Sequence, residues 1–568
     1  MVRALILCLA FAAMGAPAAA QTAAAPEGIP VTSELVTAKC GICHRPDEQK
    51  RMTRISFRRS SPENWERTIK RMIQLNKAPI TPEDARAIVK YLSDNHGLAP
   101  EEAKPVSFEA EHRLEPFNYT GDRETAIVCS SCHSIGRPMS ERRTKAEWEG
   151  LLAMHRAYYP GVDTQPINEG QGFRRTRAVE PGGDKRHPME RIVEHLSKAF
   201  PLSTSAWADW SAARQAPMLA GRWALSGHVP GKGPIFGVMT VTADPNEPDT
   251  FITEAKYTFA RSGETAARKG RSVVYTGFQW RGRSALAAPG AQTWREVMFV
   301  ERSQKAMSGR WFGGDYDELG MEVTLARIGG EPIAVGASQP ALKAGSSTPA
   351  LKIYGANFPA KLLPAQVSLG QGVTVTRVVS STPDVITLAI DVAANATPGP
   401  RDLLVAGAHV PAALVVYDKV DAVRVLPQAG LARVGGVVFP KQYQQFEAVA
   451  FHNGPDKTPN TDDDWNLGLV DATWGMEEYA ATFDDTDVKY VGTIDAAGLF
   501  TPNVDGPNPE RRMSEADQFG RNNVGDVWIV ANVAADPTRG IAAPMRARSQ
   551  LVVSVPLYVN WIQSSVGQ

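Results

Sequence analysis

Cysteine is scarce in this chain. Five occur among 568 residues, too few for a disulfide-stapled fold, so apolar cores must hold the molecule together. An excess of charge of one sign is missing too. Lysine plus arginine and aspartate plus glutamate both total 61, which gives no support for a nucleic-acid or anionic-membrane partner. The sequence contains no H-E-x-x-H, no G-x-S-x-G and no phosphate-binding glycine loop, which removes the commonest self-contained hydrolytic and nucleotide chemistries. The chain is too long for one hydrophobic core, so several domains are expected. Its N-terminus carries a short apolar run, Ala4 to Ala16, behind the basic start Met1-Val2-Arg3 and ahead of Ala18 and Ala20. That pattern reads as a signal peptide over 1–20, cut near Gln21, and the run is short for a bilayer span. The expectation is a periplasmic protein.

Removing the signal removes Cys8. The remaining cysteines, Cys40, Cys43, Cys129 and Cys132, form two units, CGICH ending at His44 and CSSCH ending at His133. A disulfide within either pair would close a very small loop and stabilise little. A thioredoxin-like dithiol needs no following histidine. A zinc site could combine the four sulfurs but leaves both histidines unexplained. C-x-x-C-H is the attachment signal of c-type haem. Two residues between the thiols let both reach one porphyrin edge, and the next histidine turns its imidazole to the iron. Two such units, using every mature cysteine behind an export signal, point to two covalently bound haems c, with His44 and His133 as the proximal ligands.

An electron-carrying cytochrome fills its second axial position with Met or His. Each unit is followed by a helical pattern opening on a Trp-Glu pair, Trp65-Glu66 and Trp148-Glu149. Trp65, Ile69, Met72 and Ile73 share one helix face, as do Trp148, Leu151, Leu152 and His155. Seven residues after each tryptophan stand Met72 and His155, the expected sixth ligands of the first and second haem. Met52 and His96 rival Met72; Met154, His187 and Met189 rival His155. A methionine on an apolar helix face also serves as core filling. Helices are expected at 82–95 and 188–200, the first opened by Thr81 as N-cap with Pro82 at the first helical position.

From about Met218 short alternating segments separated by Gly, Pro and Asp turns replace the helical pattern. The expected fold is a multidomain α + β chain: an N-terminal all-α tandem dihaem cytochrome c domain over 21–205, with halves at about 30–110 and 115–205, then three all-β domains. These are an antiparallel barrel over 214–332, an immunoglobulin-like sandwich over 337–419 and a second immunoglobulin-like domain over 420–564. Seven segments are assigned to the barrel, one of them running unbroken from Arg271 to Gly282. The stretch from Asn453 to Gly468 is acidic but lacks EF-hand spacing and reads as a solvated loop, as does the basic, glycine-rich stretch from Gly170 to Gly183.

The order of two haem units and three β domains, carried by Cys40 to Ile73, Cys129 to Arg156 and Leu219 to Gly237 onward, resembles the alpha subunit of quinohemoprotein amine dehydrogenase. The resemblance implies a periplasmic heterotrimer with a propeller-like beta subunit and a small gamma subunit bearing cysteine tryptophylquinone, where primary amines are oxidised. This chain would hold no catalytic residue of its own. It would take electrons from the quinone and deliver them through both haems to a soluble copper protein or cytochrome c. Two other readings remain open on the residues alone: a stand-alone dihaem peroxidase-like enzyme, and a haem-bearing module whose β domains bind a polymer. Replacing both Cys129 and Cys132 by alanine is expected to lower covalent haem from two per chain to one, read from the haemochrome absorbance of denatured protein.

Overall fold

A computed structural model describes residues 27–113, 121–159, 161–163, 184–480, 486–512, 514–558 and 563–568. The expected signal peptide and the loop 170–183 lie outside these residues.

The N-terminal part is built from a repeated unit. In the first copy helix α1 (Glu34–Cys40) ends on Cys40, strand β1 (Arg58–Ser60) follows, then α2 (Pro62–Asn76) and α3 (Pro82–Asn95). In the second copy α4 (Arg123–Ser130) runs through Cys129, followed by β2 (Glu141–Arg143), α5 (Lys145–Tyr158) and α6 (Pro188–Ala199). Helix starts follow local chemistry. Ser61 caps α2, and Thr144 caps α5 by accepting from the Glu147 N–H at 3.2 Å. Thr81 and Asp84 form a reciprocal capping box on α3, with Pro82 at its first position.

This region is not wholly α-helical, which corrects the sequence expectation. β1 and β2 pair antiparallel, Arg59 opposite Arg142, and join the two copies. Three-residue strands of charged and hydroxyl residues carry no apolar alternation to reveal them. They persist because their arginines are answered. Arg59 and Arg142 converge on Glu102, at 2.7 Å and 3.1 Å. Thr204 donates to the same carboxylate at 2.8 Å, and the Arg59 Nε donates to the Leu202 carbonyl at 2.7 Å. Arg59 is fully buried and Glu102 and Arg142 nearly so.

Eight strands, β3 (Gly221–Val229), β4 (Gly233–Ala243), β5 (Thr250–Phe259), β6 (Thr265–Tyr275), β7 (Gln279–Leu286), β8 (Thr293–Val300), β9 (Ala306–Gly313) and β10 (Leu319–Arg327), form a closed antiparallel barrel in which each strand pairs with its neighbours in sequence and β10 returns to β3. The expected single strand from Arg271 to Gly282 is two strands. Thr276 (φ 56°) and Gly277 (φ 76°) turn the chain through the left-handed region, and Tyr275 pairs with Gln279. Large buried residues fill the barrel: Trp223, Trp280, Trp311, Met239, Met298 and Met307. The same apolar core takes in Leu98, Ala99, Trp207 and Trp210 from the helical part. Buried pairs add to the seam: Arg281 on Glu63 at 2.5 Å, and both His112 (2.7 Å) and Arg295 (3.2 Å) on Asp317.

Beyond the barrel, two four-stranded sheets enclose a core of Leu351, Ile353, Ile386, Leu388, Leu403 and Val416. The last region holds a three-stranded sheet, a four-stranded sheet and a further small three-stranded one. That third sheet departs from a plain two-layer sandwich: the hairpin of Gly492–Ile494 and Leu499–Pro502 leaves the main layers and pairs with Gln444–Gln445. Among the described residues no helix is long and apolar enough to cross a membrane.

Burial works to raise the Glu102 pKa, but the Arg59 bond and the charges of Arg59 and Arg142 win and hold it at about 2. A carboxylate depressed in this way contributes stability above its unfolded value near 4.5, and that stability is lost as pH falls toward 2. Glu102→Ala, which leaves both guanidiniums buried and unpaired, is expected to cost roughly 3–5 kcal/mol by denaturant titration at pH 7. Glu102→Gln is expected to flatten the acid limb of the stability profile.

Candidate haem sites

The two C-x-x-C-H units adopt the same local structure. Each begins in the last turn of a short helix and closes a helical turn, with the His44 N–H on the Cys40 carbonyl at 2.8 Å and the His133 N–H on the Cys129 carbonyl at 3.3 Å. Cys40 and Cys129 lie against the apolar core of their own copy, and Cys43 and Cys132 are exposed. All four are free thiols. Burial pushes the Cys129 thiol up to about 12, and Cys40 moves the same way for the same leading reason. Apolar surroundings of this kind suit an uncharged sulfur at Cys40 and Cys129, as in a thioether.

Three of the four expected axial residues share one feature. The Nδ1 atoms of His44, His133 and His155 lie on the backbone carbonyls of Thr53 (3.0 Å), Ser134 (2.9 Å) and Leu151 (2.8 Å). A proton on Nδ1, donated to the carbonyl, leaves Nε2 as the free lone pair, the arrangement found for metal-ligating histidines. Burial lowers the pKa of both His44 and His133, opposed in each case by that carbonyl bond, so the neutral ring is favoured. His155 stands close enough for its charge to act on His133. His155 therefore lies in the electrostatic neighbourhood of the second C-x-x-C-H turn.

Met72 lies half-buried in the third turn of α2, where Asn76 Nδ2 approaches its sulfur at 3.7 Å. The repeat fixes its position relative to the second copy. Trp65 and Trp148 each sit four residues after their helix cap. Each indole N–H donates to the carbonyl that ends the closing helix of its copy, His96 for Trp65 (3.0 Å) and Phe200 for Trp148 (3.3 Å). Met72 and His155 are therefore equivalent positions on equivalent helices. His96, a rival for the first site, corresponds to Phe200. Its ring is fully buried edge-on to Trp65 (6.4 Å), and burial, with Arg59 nearby, pushes it down to about 3. Met52 is fully buried in the core with Val36 and Leu92. His187 caps α6, its Nδ1 accepting from the Met189 N–H at 3.3 Å; Met189 packs into the second core, and Met154 is half-buried.

The sites also cross. Arg54, beside His44, pairs with Glu147 of α5 at 3.1 Å and packs on Gly150. Arg67 of α2 pairs with Glu109 at 3.0 Å, and Glu109 reaches Arg137 beside His133. Each anchor thus meets the helix of the other copy. Sequence reasoning missed this and the Glu102 junction. The available signal was a pair of arginines, Arg58-Arg59 and Arg142-Arg143, just ahead of each capped Trp-Glu helix. Among the described residues no group of three or more His, Cys, Asp or Glu could hold a further metal ion. The donor set fits two c-type haems: paired thiols two residues apart, an adjacent imidazole whose neutral form is favoured, and a second helix offering a soft or imidazole ligand.

Four family profiles match the chain. The profile "Quinohemoprotein amine dehydrogenase A, alpha subunit, haem binding" covers residues 31–175. "Quinohemoprotein amine dehydrogenase, alpha subunit domain II" covers 216–328, domain III covers 332–418 and domain IV covers 423–565. No curated protein sequence matches. Solved structures resemble parts of it only: a redesigned β-barrel, 16% identical over 21% of this chain and 100% of that one (TM-score 0.18), and human mucin-like protocadherin EC1-2, 13% identical over 40% and 98% (TM-score 0.14). At these TM-scores they carry no weight.

Proposed function

The chain belongs to the quinohemoprotein amine dehydrogenase alpha-subunit family, and from that premise we propose that it is the electron-transfer subunit of a periplasmic heterotrimeric amine dehydrogenase. The family is an oxidoreductase with a haem-binding part, and an alpha subunit implies partner subunits. The finer reading adds a propeller-like beta subunit, a gamma subunit with cysteine tryptophylquinone, two immunoglobulin-like modules at 337–419 and 420–564, and export behind a cleaved signal.

Two haems c, when bound, supply one-electron centres between that quinone and a soluble copper protein or cytochrome c. Cys40 and Cys43 would anchor the first and Cys129 and Cys132 the second. His44 and His133 would be proximal ligands, each oriented by a carbonyl on Nδ1. Met72 and His155 would be the distal ligands, so the two sites would differ in potential, the methionine site being the higher. The rest of the chain holds these groups still: the Glu102 junction fixes one copy against the other, and the barrel fixes both.

The observation that carries this reading is the repeat itself, two C-x-x-C-H turns each answered by a capped Trp-Glu helix, within a chain whose successive regions match that one family. Purification from the native host is expected to bring down a small quinone-bearing chain and a larger second subunit. A lone polypeptide lacking a quinone-stained partner would overturn the proposal. Met72→Ala is expected to abolish the ligand-field band of one haem and lower its potential, and His155→Ala to perturb only the other; an unchanged spectrum refutes the corresponding ligand.

A further inference from the structure

The two copies differ at one place that their shared pattern does not account for. Both α2 and α5 carry a Trp-Glu pair, but Glu149 is exposed while Glu66 is buried. The groups that bury Glu66 come from the far end of the sequence. Ser564 Oγ donates to it at 2.5 Å and the Ser565 N–H at 2.7 Å, 498 and 499 residues away. Lys70, one turn along α2, pairs with the same carboxylate at 2.7 Å and donates to Ser565 Oγ at 3.1 Å. Val566 enters the core of the first copy among Trp65, Ile69, Met52 and Tyr275. Gly567 (φ 90°) crosses so close to the barrel that an added Cβ would lie 2.6 Å from the Arg281 carbonyl oxygen. Arg283 of the barrel donates to the Ser564 carbonyl, and Gln563 to Asp317 at 3.2 Å.

We propose that residues 563–568 are a positioning clamp for α2 and, through that helix, for the distal ligand at Met72; the inference rests on the assignment of Met72 made above. The clamp seizes α2 at Glu66, Ile69 and Lys70, on the turns that lead directly to Met72, and ties them to the barrel. Among the described residues no such segment meets the Trp-Glu turn of α5, and the difference has a chemical reason. A thioether is a weaker, more readily displaced iron ligand than an imidazole, and it has no second donor by which a neighbour could hold it. His155 is already held through Nδ1 by Leu151. The copy with the weaker ligand is the copy whose helix is clamped.

The test uses the purified complex with haems in place. Glu66→Gln removes the charge that Ser564, Ser565 and Lys70 gather around, and Val566→Ala loosens the apolar end while sparing the polar contacts. Each ferric variant is titrated with imidazole, which displaces a methionine ligand, and followed at the ligand-field band of the methionine-ligated haem. Both variants are expected to bind imidazole about tenfold more tightly than the parent at that haem, a change of about 1.4 kcal/mol. Glu149→Gln in the other copy is expected to leave the titration unmoved. Lower melting temperatures with unchanged imidazole affinity in both clamp variants would make the segment a structural brace only and overturn the proposal. Met72→Ala run alongside separates the two levels: if it retains the band, the ligand assignment itself falls, and the clamp's role with it.

Discussion

Glu102 is a single carboxylate that two buried guanidiniums share, and the helical part of the chain is arranged around it. Arg59 comes from β1 and Arg142 from β2, so the ion cluster and the strand pairing are one device. Taking three charges out of water is costly, and their mutual attraction offsets that cost only when the geometry is good and every remaining donor is used. Here it is: Leu202, Gly97 and Thr204 take up the rest of Arg59, and the Ala99 N–H donates to Glu102 at 2.9 Å. Such a cluster specifies position more than it adds net stability. It fixes which residues of one copy face which residues of the other, and everything proposed for the haem sites depends on that registry.

Much of the architecture was legible because local chemistry and tertiary structure agree. Thr81-Pro82 opened α3 where its capping box stands, and most of the barrel strands announced themselves by alternation between a filled interior and a solvated wall. The failures are as physical. The turn at 276–278 was hidden because Thr276, not a glycine, takes the left-handed conformation first. β1 and β2 were hidden because their stability comes from arginines answered across 43 and 40 residues of sequence, which no local period records. The two C-x-x-C-H units were legible as a repeat from spacing alone. The Nδ1 bonds that orient them were not, since a backbone carbonyl leaves no mark in the sequence. Glu66 was equally opaque, its partners standing nearly five hundred residues on.

The β regions take their meaning from this. A barrel packed with tryptophan and methionine is a rigid body, and helices from the redox part share its core. Arg281 on Glu63, Thr276 on Asp94 (2.6 Å) and Lys90 on Asp249 (2.7 Å) then fasten α2 and α3 to its rim. A scaffold of this kind supplies stiffness to the helical region.

The crossing of the two copies has a consequence for how such a chain can evolve. Since Glu147 of α5 leans on the first anchor through Arg54, and Arg67 of α2 reaches toward the second through Glu109, neither copy is a free-standing cytochrome that happens to be doubled. A substitution at one of these ion pairs is felt in both copies. Drift in the pair is therefore coupled: a change at Arg54, Glu147, Arg67 or Glu109 alters the surroundings of both C-x-x-C-H turns together.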